Sequence, residues 1–412
     1  MNRPTVLRGS TLAAAIAMAL VSLASVAIAA EATTLDTIEV TTSKLPIALR
    51  DVAANVAIVT GEELRARGAN DLRTALSLVA GVDIAPGGDG GPASSVPAIW
   101  GLREFDAFLL VVDGIPSGGA FTPPLATLNL ANVERIEVLK GAAPVSYGAT
   151  SFVGVIHVIH YAAGQGPAIV DFGFGSRGSA RASLALPLSD SNAVWQQSLL
   201  ADAEKQELKA DRSGWDRAHL LYRGAAEFSN GKFTADIDFT QLHQDPVSPH
   251  PREGGVLTPR VPLDSNQNPR GAEQDEDRGQ LALGYIAMTG IGEWSTRLAI
   301  ARSTASNIRG FLREDFEDDG VTPNADGYQQ DVRRTEVYFD SHVATELGER
   351  ANLVWGIDHL YGKGDQASKN FEYAVLPDGS NAPNYRTLPI DESTRLDDRR
   401  NFSGVYADLG FN

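Results

Sequence analysis

The sequence predicts an α+β domain followed by antiparallel transmembrane β-barrel strands, about ten of them. Three observations carry this reading. Short apolar runs broken by Gly and Pro fill residues 49–166. Strictly alternating segments of roughly ten residues follow from 167 to 412. The links between those segments are by turns short and long.

The chain opens with a leader. Arg3 and Arg8 form a basic start, Thr11 to Ile28 is apolar and alanine-rich, and Ala27-Ile28-Ala29 offers a small-x-small cleavage site. Residues 1–30 therefore read as a secretory signal peptide. The competing reading, a membrane anchor, lacks a basic stop-transfer flank, and no later stretch reaches the ~18 apolar residues of a spanning helix. A formal charge of −17 argues against nucleic-acid binding, which needs a basic face. The absence of cysteine removes disulfides, thiolate metal sites and cysteine nucleophiles.

Within the first domain, "TGEELRARG" sets Thr60 and Glu63 at capping-box spacing, with Gly68 as a natural stop. "NDLRTALSLVAG" places Leu72, Leu76 and Val79 on one helical face, with Gly81 ending it. The runs "VDIAPGGDGGP", "AFLLVVDGIPSGG", "VERIEVLKG" and "VGVIHVIHY" read as strands joined by turns.

The later segments alternate by twos. In "KFTADIDFTQ", Phe233, Ala235, Ile237 and Phe239 share one face and Lys232, Thr234, Asp236 and Asp238 the other. "RAHLLYRGAAEF" sets Leu220, Tyr222 and Phe228 against His219, Arg223 and Glu227. A soluble sandwich shows the same period, so the links decide. "SDSN", "SNG", "TGIGE" and "LGER" are short. The links near 206–216, 244–278, 304–331 and 364–399 are long. Short turns on one side and long polar loops on the other are the pattern of an outer-membrane barrel.

Three stretches together resemble one family, the TonB-dependent outer-membrane receptors. "LDTIEVTTS" resembles a Ton box. "PAIWGLREFDAFLLVVDGIPSGG" resembles the core of that family's plug domain. "NVERIEVLKGAAPVSYGATSFVGVIHVIH" resembles the plug's closing signature, with His157 and His160 at positions where the family commonly has Asn and Thr. The resemblance implies a signal peptide at 1–30, a Ton box and linker at 31–48, a plug at 49–166, and the N-terminal portion of a transmembrane barrel at 167–412. It also implies a cell outer membrane location, with the plug facing periplasm and barrel lumen. The implied activity is TonB-energised uptake of a scarce nutrient such as a ferric siderophore. The implied partners are a TonB-type periplasmic energy-transducing protein, outer-membrane lipid and a small-molecule ligand such as an iron chelate. No cofactor is implied.

Residues Asp36, Thr37, Ile38, Glu39, Val40, Thr41 and Thr42 are the TonB-interaction candidates. The segment is short, extended and β-branched, which suits strand addition to a partner's sheet edge. A plain linker is the alternative. Glu39 stands where the family often has an apolar residue. The Gly-rich stretches 85–97 and 114–125 lack a P-loop lysine pattern. By resemblance they are apical plug loops, making Asp89, Ser94, Ser95, Ser117, Phe121 and Thr122 ligand-binding candidates; plain turns are the other reading. "DFEDDGVTPNAD" sets Asp315, Glu317, Asp319 and Asp326 at calcium-loop spacing, but no flanking helix is predicted and a solvated acidic loop explains it as well. His157 and His160 lie three apart on a strand, so they point to opposite faces and do not share a metal. No His-Glu-x-x-His, Gly-x-Ser-x-Gly or dinucleotide fingerprint is present, and the chain reads as a non-enzyme.

The strand count raises a conflict of size. A plug of about 135 residues has a diameter of about 36 Å. Ten strands about 4.8 Å apart and tilted about 40° would close at a radius of about 10 Å. The expectation is a fragment of a longer receptor or a truncated, non-transporting product. A passive pore or surface-binding protein is the remaining alternative. A signalling receptor would need an extra domain ahead of residue 36, where the sequence leaves no room for one.

Overall fold

In the computed structural model the described residues are 39–40, 47–48 and 55–411, apart from 78, 85–89, 95–96, 100, 103–107, 142–153, 190–192, 315–318, 320, 349–350 and 381–391. The leader, Asp36–Ile38, Thr41, Thr42, Asp89, Ser95, Asp315 and Glu317 lie outside them. The first elements are β1 (Glu39–Val40) and β2 (Ile47–Ala48), a two-stranded antiparallel ladder with Val40 opposite Ile47.

The α+β unit follows. Strand β3 (Asn55–Thr60) runs into α1 (Gly61–Ala66), where the Thr60 hydroxyl accepts from the Glu63 N–H at 3.2 Å. Such a cap is worth about 1 kcal/mol. Helix α2 covers Leu72–Leu76 and is capped by Asp71, which accepts from Thr74 N–H at 2.8 Å. It ends sooner than the apolar spacing out to Val79 predicts. The Ser77 hydroxyl donates to the Thr74 carbonyl at 2.8 Å, and Val79 N–H closes an i→i+3 turn onto Leu76. A hydroxyl that bonds the last turn competes with helix propagation. Val79 is still buried, delivered by the turn rather than by the helix.

Strands β4 (Val82–Ile84) and β5 (Pro97–Ile99) pair with each other. Strands β6 (Phe108–Val112), β7 (Ile115–Pro116), β8 (Val133–Lys140) and β9 (Gly154–His160) join β3 in a five-stranded sheet of order β3-β8-β9-β6-β7. Its one parallel pairing is β6 with β9. The adjacent interior strands β9 and β6 are buried along almost their whole length, as strands covered on both faces are. Leu64, Leu76, Leu110, Ile136 and Ile156 are almost wholly buried in one cluster. Each such side chain contributes roughly 1.5–3 kcal/mol.

The second unit is a ten-stranded antiparallel wall. Its strands are β10 (Ile169–Phe174), β11 (Ala180–Pro187), β12 (Trp195–Glu207), β13 (Gly214–Phe228) and β14 (Gly231–Asp245). They continue, after the small hairpin β15 (Arg252–Glu253) and β16 (Val256–Leu257), as β17 (Glu273–Thr289), β18 (Gly292–Leu312), β19 (Ala325–Glu346), β20 (Ala351–Tyr373) and β21 (Glu392–Phe411). Each wall strand pairs with the next in sequence, and β10 and β21 are the edges. The links β11–β12, β13–β14, β17–β18 and β19–β20 are short and β14–β17 and β20–β21 are long, as the sequence predicts. The expected long link at 206–216 is instead the short turn 208–213, and that at 304–331 shrinks to 313–324, because the strands run further than their alternating apolar cores.

Alternation gives the wall two faces. Phe172, Ile237, Ile300, Trp355, Ile357 and Val405 stand exposed on the outward face. Asp236, Asp238, Arg278, Arg297, Glu336 and Leu360 point to the other face, against the α+β unit. An apolar exterior backed by a polar interior is what a membrane-embedded sheet with a filled lumen needs. Among the described residues no helix is long and apolar enough to cross a membrane.

Candidate functional site

The α+β unit meets the polar face of the wall at two main contacts. The first contact is the two-residue turn between β6 and β7. Asp113 and Gly114 both adopt positive φ, 49° and 78°. Asp-Gly suits such a hairpin turn, since glycine carries no Cβ penalty there. At Gly114 a Cβ would also collide with the Arg297 guanidinium.

This turn is gripped from both sides. Within the unit, His160 donates its backbone N–H to Asp113 Oδ1 at 2.9 Å, and its Nδ1 sits 2.8 Å from Oδ2. The Gly114 N–H donates to His157 Nε2 at 3.0 Å. From the wall, Arg223 on β13 lies 3.5 Å from Asp113 Oδ1, and Arg297 on β18 donates to the Asp113 carbonyl. Arg223 also makes a bidentate pair with Asp236 on β14, at 3.2 and 3.0 Å, and donates to the Tyr161 carbonyl at 2.9 Å. Burial alone would raise the Asp113 carboxyl, but Arg223 and then His160 outweigh it and hold the group well below the usual carboxylate range. The two histidines therefore hold the two halves of one turn.

The second contact is the loop 117–122. Glu336 on β19 accepts from Gly118 N–H at 3.1 Å and Ala120 N–H at 3.0 Å. Arg278 on β17 donates to the Ser117 hydroxyl at 3.1 Å. Arg400 on β21 donates to the Ala120 carbonyl at 3.1 Å and lies 5.2 Å from the Phe121 ring centroid. Gly362 and Gly364 on β20 make the room for that ring, since a Cβ at either would come within 3.0 Å of it. Further contacts join Asn129 to Asp202 at 2.9 Å, Ala93 N–H to Gln244 at 3.1 Å and Gly164 N–H to Ser198 at 2.8 Å.

The ligand-binding candidates fall on this interface unevenly. Ser117 is 3% exposed and engaged by Arg278, while Phe121 lies in the β20 niche under Arg400. Thr122 lines a partly open gap between loop and wall, together with Gly118, Arg278, Ser303, Arg334 and Glu336. Ser94 closes a 3-10 turn, Pro92–Ser94, whose Ala93 N–H donates to Gln244 on β14. Of the calcium-loop residues, Asp326 holds Arg313 at 3.0 and 2.7 Å, and Asp319 accepts from Val321 and Thr322 N–H at 2.8 Å each. Among the described residues no group of three or more such side chains is placed to hold a metal. Glu39 and Val40 of the Ton-box candidates lie in the β1–β2 ladder.

The residues that sequence reasoning passed over are the wall's inward charges: Arg223, Arg278, Arg297, Glu336 and Arg400. Their signal was present as charges on the polar parity of otherwise amphipathic strands, a position a solvent-filled lumen explains equally well.

Comparison with known proteins bears on this arrangement. The family profile described as TonB-dependent receptor plug domain matches residues 48–155. A vitamin B12 transporter, BtuB, of Photobacterium profundum is 29% identical over 167 residues, covering 40% of this chain and 27% of the transporter. The BtuB of Vibrio vulnificus is 30% identical over 134 residues, covering 32% of this chain and 22% of its own length. In fold, the pyoverdine outer membrane receptor FpvA of Pseudomonas aeruginosa PAO1 superposes with a TM-score of 0.70 at 16% identity, over 90% of this chain and 56% of the receptor. The ferric-catecholate import receptor Fiu of E. coli K12 does so with a TM-score of 0.65 at 13% identity, over 89% of this chain and 58% of Fiu.

A plug sheet clamped to the polar face of an antiparallel wall is the architecture of a plugged outer-membrane receptor. Residues 48–155 match the TonB-dependent receptor plug domain, the wall that follows has the fold of the solved receptors' barrel strands, and the chain spans a little over half the length of those receptors.

Proposed function

We propose that the chain forms the plug and adjoining wall of an outer-membrane receptor that takes up a scarce, chelated nutrient with energy supplied by a TonB-type partner. The observation that carries this is the clamped plug: a domain held to the polar face of the wall by the Asp113–Arg223 pair and by the Glu336, Arg278, Arg297 and Arg400 hydrogen bonds would block free diffusion through a closed barrel and has to be rearranged by work from outside. Residues 36–42 are where that work enters, by strand addition to the partner's sheet. The apical loops at 85–97 and 114–125 are where ligand is read. The substrate class is a metal chelate, either a ferric siderophore or a corrinoid, since the relatives named above are transporters or receptors for those two.

The two substrates separate in one experiment. Cells lacking other routes are supplied with radiolabelled ferric siderophores or cobalamin, with and without this receptor. Receptor-dependent accumulation of one class supports the reading. No accumulation of either, with the protein present in the outer membrane, removes it.

A further inference from the structure

The two histidines of β9 meet the Asp113–Gly114 turn with opposite chemistry. The Gly114 N–H donates to His157 Nε2 at 3.0 Å. A ring nitrogen that accepts carries no proton, so this imidazole is neutral and its proton sits on Nδ1. His160 presents Nδ1 to Asp113 Oδ2 at 2.8 Å. A ring nitrogen facing a carboxylate donates, and it does so whether the ring is neutral or charged. Protonation therefore abolishes the His157 contact and leaves the His160 contact in place. Both side chains are buried, so a lost partner is not simply exchanged for bulk water.

The charged groups around His157 give a protonated ring a second place to rest. On β8, Glu137 is the direct cross-strand partner of His157, is buried, and holds Oε2 4.0 Å from Nδ1. Arg135 donates to the other oxygen of Glu137 at 2.8 Å and pairs with Glu134 at 2.6 Å. On the side of the turn stand Asp113 with His160, and the wall's Arg223 and Arg297. Asp236 is paired to Arg223, and Asp340 on β19 lies across from Arg297 in the register. Arg297 reaches the Gly114 position itself, since a Cβ there would meet its guanidinium. A proton added at Nε2 thus faces an N–H and a guanidinium, while the proton on Nδ1 faces a carboxylate.

We propose that His157 is a pH-operated latch on the turn that joins the plug to the wall. Neutral, its Nε2 holds the Gly114 N–H. Protonated, the ring gives up Gly114 and settles on Glu137, a movement of about 1 Å to reach hydrogen-bond distance. Within the plug the turn then hangs on Asp113 alone, through His160 and through the Asp113 N–H on the Val158 carbonyl. The contact belongs to the neutral ring, so it is present at high pH and lost as pH falls through the imidazole range near about 6.5. The latch goes beyond uptake of any one cargo, because it needs only the docked turn.

The test is hydrogen exchange of the full chain in detergent micelles, read residue by residue by NMR, with each amide rate divided by its intrinsic rate at the same pH. In wild type, protection of Gly114 is expected to fall roughly fivefold or more between pH 8 and pH 5. Asp113 N–H, on the Val158 carbonyl, and Ser117 N–H, on the Leu110 carbonyl, are expected to keep theirs. His157→Gln supplies a carbonyl acceptor that does not titrate, and is expected to hold Gly114 at both pH values. His157→Leu supplies none and is expected to lose it at both. His160→Asn is expected to keep the wild-type response to pH. A flat wild-type profile at Gly114 overturns the latch. The same acid loss in His157→Gln assigns the response to another group and also overturns it. Should the His157 variants fold poorly, wild type decides alone. Loss at Gly114 with Asp113 and Ser117 still protected supports the latch, and parallel loss at all three is undocking of the whole hairpin and overturns it.

Discussion

Asp113 on the plug and Arg223 on the wall lie 3.5 Å apart, and each is also held on its own side, Asp113 by His160 and Arg223 by Asp236. The pair joins the β6–β7 hairpin, at the edge of the plug sheet, to the fourth wall strand. Removing one partner of a buried pair leaves the other charge stranded and costs about 3–5 kcal/mol. His160 and Asp236 remain as partial compensation, so Arg223→Met is expected to weaken plug docking by about 2–3 kcal/mol. Amide exchange on Leu109–Val112 measures this. Protection there should fall while protection in β18–β20 does not.

The same carboxylate makes a prediction about pH. Its folded-state value is depressed, so its contribution is present above the ordinary carboxylate value of about 3.9 and is lost only as pH falls through the lower folded value. Plug protection in wild type and in Asp113→Asn should therefore differ by a constant amount from pH 5 to 8. A difference that closes within that window would show that another group governs the clamp.

The niche on β20 predicts a steric coupling. A Cβ at Gly362 would overlap the Ala120 Cβ and lie 2.9 Å from the Phe121 ring. Gly362→Ala is expected to destabilise the docked loop by about 1–3 kcal/mol. Ala120→Gly in the same chain should recover part of it, because the two sites share one space. Exchange protection at Gly118 and Ala120, whose N–H groups Glu336 holds, reads both variants in a thermodynamic cycle.

Much of the fold was legible in the sequence and little of the clamp was. Period-2 alternation in Phe233–Phe239 and the short links at 229 and 347 are local signals, and they define the wall and its alternating loops. The Thr60–Glu63 cap is local too. The α2 helix misled because its apolar spacing continues to Val79 while the Ser77 hydroxyl closes the last turn. Arg297 meets Asp113 across 184 residues, and Arg400 meets Ala120 across 280. Nothing in either neighbourhood announces such a partner. The phases of two separate units have to be fixed before the charges on the polar parity can be matched.

The most direct test of energised uptake is at the other end of the plug. Val40 pairs with Ile47 in the β1–β2 ladder and lies in the segment expected to add to the partner's sheet. Proline there removes a backbone donor. Uptake of the labelled chelate should be abolished by Val40→Pro and largely kept by Ile47→Pro, which disturbs the internal ladder but leaves residues 36–42 free to pair. Unchanged uptake in Val40→Pro cells, with the receptor present at wild-type level, would contradict transport driven through this segment.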